Sequence, residues 1–126
     1  MKRFVVIENT AALAYWFGLN PNVELTAERM EHIRQHHPED YDLCMKHVDE
    51  VITAPDLILE DHKNPMTAMF IRSFGAEGIN VVVKLTLLSD DNHRSFIVTV
   101  HPVGERSIKK LERKNKVVYN RSSNMI

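Results

Sequence analysis

Near Pro55 the hydrophobic rhythm of the chain changes from that of a helix to that of a strand. Upstream, Tyr41, Cys44, Met45, Val48, Val51 and Ile52 fall at offsets 0, 3, 4, 7, 10 and 11. That spacing lays them along one stripe of a helix with 3.6 residues per turn. Downstream come short runs at 57–59, 67–74, 79–88 and 94–103, rich in β-branched residues and divided by turn-formers such as Gly75, Gly78 and Ser89-Asp90-Asp91-Asn92. Those runs read as strands. Helices followed by strands that turn back on each other predict an α+β fold, with the helices packed on a mainly antiparallel sheet. At 126 residues the whole chain, 1–126, is expected to be one domain with one core.

Two further helices follow from local chemistry. Thr26 is suited to cap a helix over 27–36, with Glu28 in its first turn where the helix dipole favours negative charge. Pro38 disfavours helical geometry at His37 and suits the first position of the next helix, which stops before Pro55. Residues 105–114 read as a third helix, and 2–7 and 116–119 as strands. The apolar segment within 10–22 fits either a helical turn or a strand, ended by Asn20-Pro21-Asn22.

Alternation assigns faces to the two longest strands. In 79–88, Val81, Val83, Leu85 and Leu87 share the face expected to meet the helices, opposite Val82, Lys84 and Thr86. In 94–103, Phe96, Val98 and Val100 are expected to face the core. Ser95, Ile97, Thr99 and His101 are then expected on the other face. Lys84, Thr86, Ser95, Thr99 and His101 would make that face polar, where a one-sided sheet presents a site.

Other classes are excluded or set aside by composition. The single cysteine, Cys44, rules out an intramolecular disulfide framework and a multi-cysteine zinc site. No apolar run approaches the ~20 residues that span a bilayer. Glu8 and Asn9 interrupt the apolar start, against a signal peptide. A cytoplasmic protein with no membrane partner is the simplest expectation. The net charge of −1 hides an asymmetry: from Gly104 onward seven Lys and Arg oppose two Glu, a net +5, so the preceding 103 residues carry −6. A basic end on an acidic chain fits a polyanion partner or a solvated helix face.

The segment EHIRQHHPED holds His32, His36 and His37. His32 and His36 lie about 40° apart around a helix and can reach one ion. The zinc-protease pattern needs Glu after the first His, and Ile33 stands there. Histidine can also take a proton in one step and return it in the next near neutral pH. RNA cleavage by its own 2′-hydroxyl needs that chemistry, together with a cation to stabilise the phosphorane. An exposed helix face that contains histidines is the third reading.

The order of segments adds a resemblance. LTAERMEHIRQHHPED, APDLILEDHK, VVVKL, SFIVTV and KKLERKNKVVY, covering about 23–119, together resemble the phage-associated nucleases of the barnase–EndoU–colicin–RelE superfamily. The matching residues are Leu25-Thr26, Arg29, His32-Ile33, His37-Pro38-Glu39, Pro55-Asp56, Lys84 and Thr99. In two places the chain departs from the pattern: His36 stands where arginine is expected, and Ser95 where asparagine is expected. The resemblance implies helices leading into a curved four-stranded antiparallel sheet, barnase- or RelE-like. It also implies a metal-independent endoribonuclease, needing no cofactor, encoded by a phage or mobile element.

On that reading His37 is the leading general base or acid and His32 its partner. Lys84 stabilises the phosphorane and Thr99 donates to a phosphate oxygen. His36, Ser95 and His101 contact substrate, and Arg106, Lys109, Lys110 and Arg113 hold the RNA backbone. An immunity or inhibitor protein is a further expected partner. The alternatives are a non-catalytic RNA- or protein-binding module of the same fold, a toxin-like inhibitor using the acidic stretch from Glu39 to Asp61, and a metal hydrolase.

Overall fold

Thr26 ends one element and caps the next. It closes strand β2 (Asn22–Thr26), and its Oγ1 accepts the Arg29 N–H at 3.1 Å to start helix α1 (Ala27–His36). The computed structural model describes residues 2–6, 18–19, 22–87 and 95–122. Most of the ambiguous segment 10–22, the turn at 89–92 and the tail from 123 lie outside the described residues. Strand β1 (Lys2–Val6) pairs antiparallel with β2.

Helix α1 stops at His37, whose backbone (φ −134°, ψ 58°) leaves the helical region while its N–H still reaches Ile33 O. The following proline dictates this. Helix α2 (Tyr41–Thr53) begins three residues after Pro38, because Asp40 N–H bonds His37 O and closes a separate turn first. Its expected stripe holds: Cys44, Val48, Val51 and Ile52 are buried, with Tyr41 and Met45 packed against the same core.

The strands are β3 (Leu57–Glu60), β4 (Thr67–Phe74), β5 (Glu77–Lys84), β6 (Ser95–Gly104) and β7 (Lys116–Asn120), with helix α3 (Glu105–Lys114) between the last two. The sheet is wider than the four strands expected. Seven described strands join in the order β1-β2-β6-β5-β4-β3-β7. Only β2 and β6 run parallel; the other pairings are antiparallel. The β4–β5 hairpin turns on Gly75-Ala76, with Gly75 at φ 73°, a left-handed position that favours glycine.

Both faces of the sheet are covered. Helices α1 and α2 pack on Val81, Val83, Val100, Phe70 and Ile58. Against the single covered face expected, α3 lays Ile108, with Leu111 one turn on, over a second cluster of Leu57, Leu59, Met69, Ile71 and Val103. Gly78 permits the approach, since a Cβ there would stand 3.1 Å from Ile108 Cδ1.

The face assignment of β6 is corrected in its first half. Val82 pairs with Thr99 but Val83 pairs with Ile97, so Val98 is the extra residue of a β-bulge. The bulge inverts the alternation before it. Ser95 and Ile97 are buried, whereas Phe96 is exposed. Beyond the bulge the expectation stands, with Val100 in the core and His101 on the opposite face beside Val103. Among the described residues no helix is long and apolar enough to cross a membrane.

Candidate polyanion cleft

The C-terminal end of β6 lies between α3 and the loop joining β3 to β4. Asp61, His62, Lys63 and Asn64 of that loop form one wall. Ser107, Lys110, Leu111 and Lys114 of α3, with Asn115, form another, and His101 to Gly104 complete the lining over Met69. The cleft measures about 510 Å³, within the range of small-ligand sites and adequate for a nucleotide unit. Three lysines and two histidines line it against one carboxylate, so its field favours an anion.

The loop wall is built by its own side chains. Asp61 accepts Lys63 N–H and Asn64 Nδ2–H, both at 2.9 Å. Burial works to raise the Asp61 pKa, but these hydrogen bonds and nearby His62 outweigh it and hold the carboxyl below its ordinary value. Lys84 braces the same loop from β5, with Nζ donating to Pro65 O at 2.7 Å.

His101 stands at the junction of the histidine groups. The ring of His37, at the end of α1, stacks on it with centroids 6.0 Å apart and planes 28° apart. Burial, and then the His37 charge, push the His101 pKa below the usual histidine value. The unprotonated ring is therefore favoured near pH 7. On the sheet, Asn80 pairs opposite His101, and its Nδ2 lies 3.5 Å from Nε2, the outer limit of a hydrogen bond.

The three N-terminal histidines separate. His37 turns to the sheet, while His32 and His36 stay together on the exposed face of α1 with ring centroids 4.1 Å apart. His36 Nδ1 donates to His32 O at 2.9 Å. Loss of hydration, then the charges of His36 and Arg29, lower the His32 pKa. Among the described residues no three His, Cys, Asp or Glu side chains converge as a metal site requires.

The other expected residues are dispersed. Lys84 lies opposite Phe96, while His101 lies opposite Asn80. Four residues of strand therefore separate Lys84 from the His101 position, roughly 13 Å at ~3.3 Å per residue. Thr99 is half-buried two residues before His101 on the same side. Ser95 is fully buried, and its Oγ accepts Thr86 N–H at 3.2 Å, a bond that closes the end of β6 rather than one offered to a ligand. On α3, Lys110 lines the cleft, but Lys109 pairs with Glu105 at 3.7 Å and with Arg106 borders a separate hollow. Arg113 is exposed and does not line the cleft.

Sequence reasoning missed His62, Lys63 and Asn115, while Lys114 falls among the seven basic residues counted from Gly104 onward. The signal available was a histidine and lysine inside an Asp-x-x-Asn turn, DHKN, a loop pattern in which Asp bonds its own backbone. Comparison with protein-family models, curated proteins and solved structures gives no match.

Proposed function

We propose that the chain is a metal-independent endoribonuclease that cleaves RNA by attack of its own 2′-hydroxyl. One observation carries this reading: the stacked His37–His101 pair lies beside a cleft lined by Lys63, Lys110 and Lys114. The lysines neutralise successive phosphates, and the pair accepts the 2′-hydroxyl proton. His101, whose protonated form is disfavoured by burial, is the receiving ring, with His37 stacked against it. This moves the reaction centre from His37 and His32 to His37 and His101. His32 and His36 become contacts for the flanking strand, and Lys84 becomes a brace for the cleft wall. A general base of this kind is worth about 10²- to 10⁴-fold in rate.

The test is cleavage of mixed transfer and messenger RNA in EDTA, with fragment ends mapped. The reading expects 2′,3′-cyclic phosphate ends from the parent and their loss in His37→Ala purified in parallel. Salt-sensitive RNA binding without cleavage would instead favour a non-catalytic RNA-binding module of the same fold.

A further inference from the structure

A 2′-hydroxyl that attacks phosphorus in line with the departing 5′ oxygen needs a proton acceptor on one side and a donor on the other. His37 and His101 are stacked, so together they serve one side. Another histidine, His62, lines the same cleft from the loop joining β3 to β4. Its ring is held by a residue far away in sequence: Nδ1 lies 3.2 Å from Asn115 Oδ1, which also accepts the His62 backbone N–H at 3.1 Å.

The orientation of Asn115 is itself fixed. Its Nδ2 donates to Leu111 O at 3.0 Å, so the oxygen end of the amide must face His62. An amide oxygen only accepts hydrogen bonds. The His62 proton partnered with Asn115 therefore stays on Nδ1 in both charge states. Nε2 is left without a partner among the described residues, on a ring that lines the cleft.

We propose that His62 is the general acid of this site and that Asn115 is its positioning residue, directing proton release to Nε2. The proposal rests on the RNA-cleaving reading above. The His37–His101 pair takes the 2′-hydroxyl proton as the O2′–phosphorus bond forms. The phosphorus–O5′ bond breaks, and O5′ takes the Nε2 proton of the His62 imidazolium. The products are a 2′,3′-cyclic phosphate and a 5′-hydroxyl, with the pair left protonated and His62 neutral, a net transfer of one proton from His62's side of the cleft to the pair's side. Water or buffer then restores the starting states. The same arrangement makes the substrate a single strand, because a ribose and its two flanking oxygens must sit between the walls.

Three measurements test this on the full chain. The first is the long-range ¹H–¹⁵N spectrum of the histidine rings, with His62 assigned by its loss in His62→Ala. Neutral His62 is expected as the Nδ1–H form in the parent and in Asn115→Asp, and is expected to lose that form in Asn115→Ala. The second is the pH profile of RNA cleavage. Asn115→Asp adds a negative charge beside the ring and is expected to move the alkaline limb to higher pH. The third compares His62→Ala on RNA and on a nucleoside 3′-(4-nitrophenyl phosphate), whose leaving group departs without a proton. Loss of about 100-fold or more on RNA, with little loss on the nitrophenyl ester, is expected.

Equal losses on the two substrates, or RNA cleavage as fast as the parent's, would overturn the general-acid role while leaving the nuclease reading standing. An Nε2–H ring in the parent would overturn the role of Asn115. A parent that cuts no RNA would end the nuclease reading and the acid role with it, and the ring spectrum would still decide whether Asn115 orients His62.

Discussion

His37 closes α1 and stacks on His101 of β6, ring centroids 6.0 Å apart. A helix end and a strand separated by more than sixty residues thus meet at the rim of a cationic cleft. The consequence is a pH dependence with a definite sign. His101 has a folded-state pKa below the ordinary ~6.5. Its contribution is therefore fully present above that value and is lost as pH falls through the folded pKa, because the unfolded chain binds the proton first. Histidine titration by NMR should find His101 below the ordinary value, and His37→Ala should raise it by removing a like charge. An unchanged value in His37→Ala would mean that the two rings do not interact.

The basic residues of α3 should divide by position. Lys110 and Lys114 line the cleft, whereas Lys109 and Arg106 border a different hollow. For single-stranded RNA each lost phosphate contact reduces the slope of log affinity against log salt by ~0.7. Lys110→Gln with Lys114→Gln should therefore flatten the slope by about 1.4. Arg106→Gln with Lys109→Gln should leave it nearly unchanged. Binding titrations at several salt concentrations decide between the pairs.

Ser95 is a structural residue on this account. Its Oγ accepts Thr86 N–H in a buried setting. Ser95→Ala should destabilise the fold by about 1–2 kcal/mol, the usual effect of leaving a largely buried amide unpaired. RNA affinity should not change. Urea denaturation beside a binding titration would separate the two effects, and a stable protein that binds RNA weakly would restore Ser95 as a substrate contact.

The cleft wall depends on Asp61. Asp61→Ala removes the acceptor of Lys63 N–H and Asn64 Nδ2–H, at about 1–2 kcal/mol for charge-assisted bonds at a partly exposed site. The Asp61 pKa is lowered on folding, so its contribution is present above about pH 4 and disappears as pH falls below that value. The parent should lose more stability than Asp61→Ala between pH 5 and pH 3. Parallel denaturation curves across that range give the comparison.

The legible parts of this fold are those in which one period runs undisturbed. The α2 stripe, the Thr26 cap and the break at Pro38 each follow from local chemistry that the tertiary structure leaves alone. Strand β2 was hidden because Asn22 reads as a turn residue, although Val23 and Leu25 alternate into the core. The bulge at Val98 was invisible because a single extra residue inverts a face without changing composition. In α3, Ile108 and Leu111 are few among charged neighbours, so the helix read as a solvated basic segment rather than a cover for the second face. The cleft was half legible: His37, His101 and Lys110 came from sequence. His62 and Asn115 meet across 53 residues, a distance that only the strand pairing of β3 with β7 and the placement of α3 bring together.

The most direct measurement is the single-turnover rate of cleavage of a defined RNA in EDTA by the parent, His101→Ala and His32→Ala. Cleavage by the parent is expected, with a loss of about 100-fold or more in His101→Ala and a modest change in His32→Ala. Equal rates in the parent and His101→Ala, with His32→Ala inactive, would contradict this and return the reaction centre to the exposed face of α1.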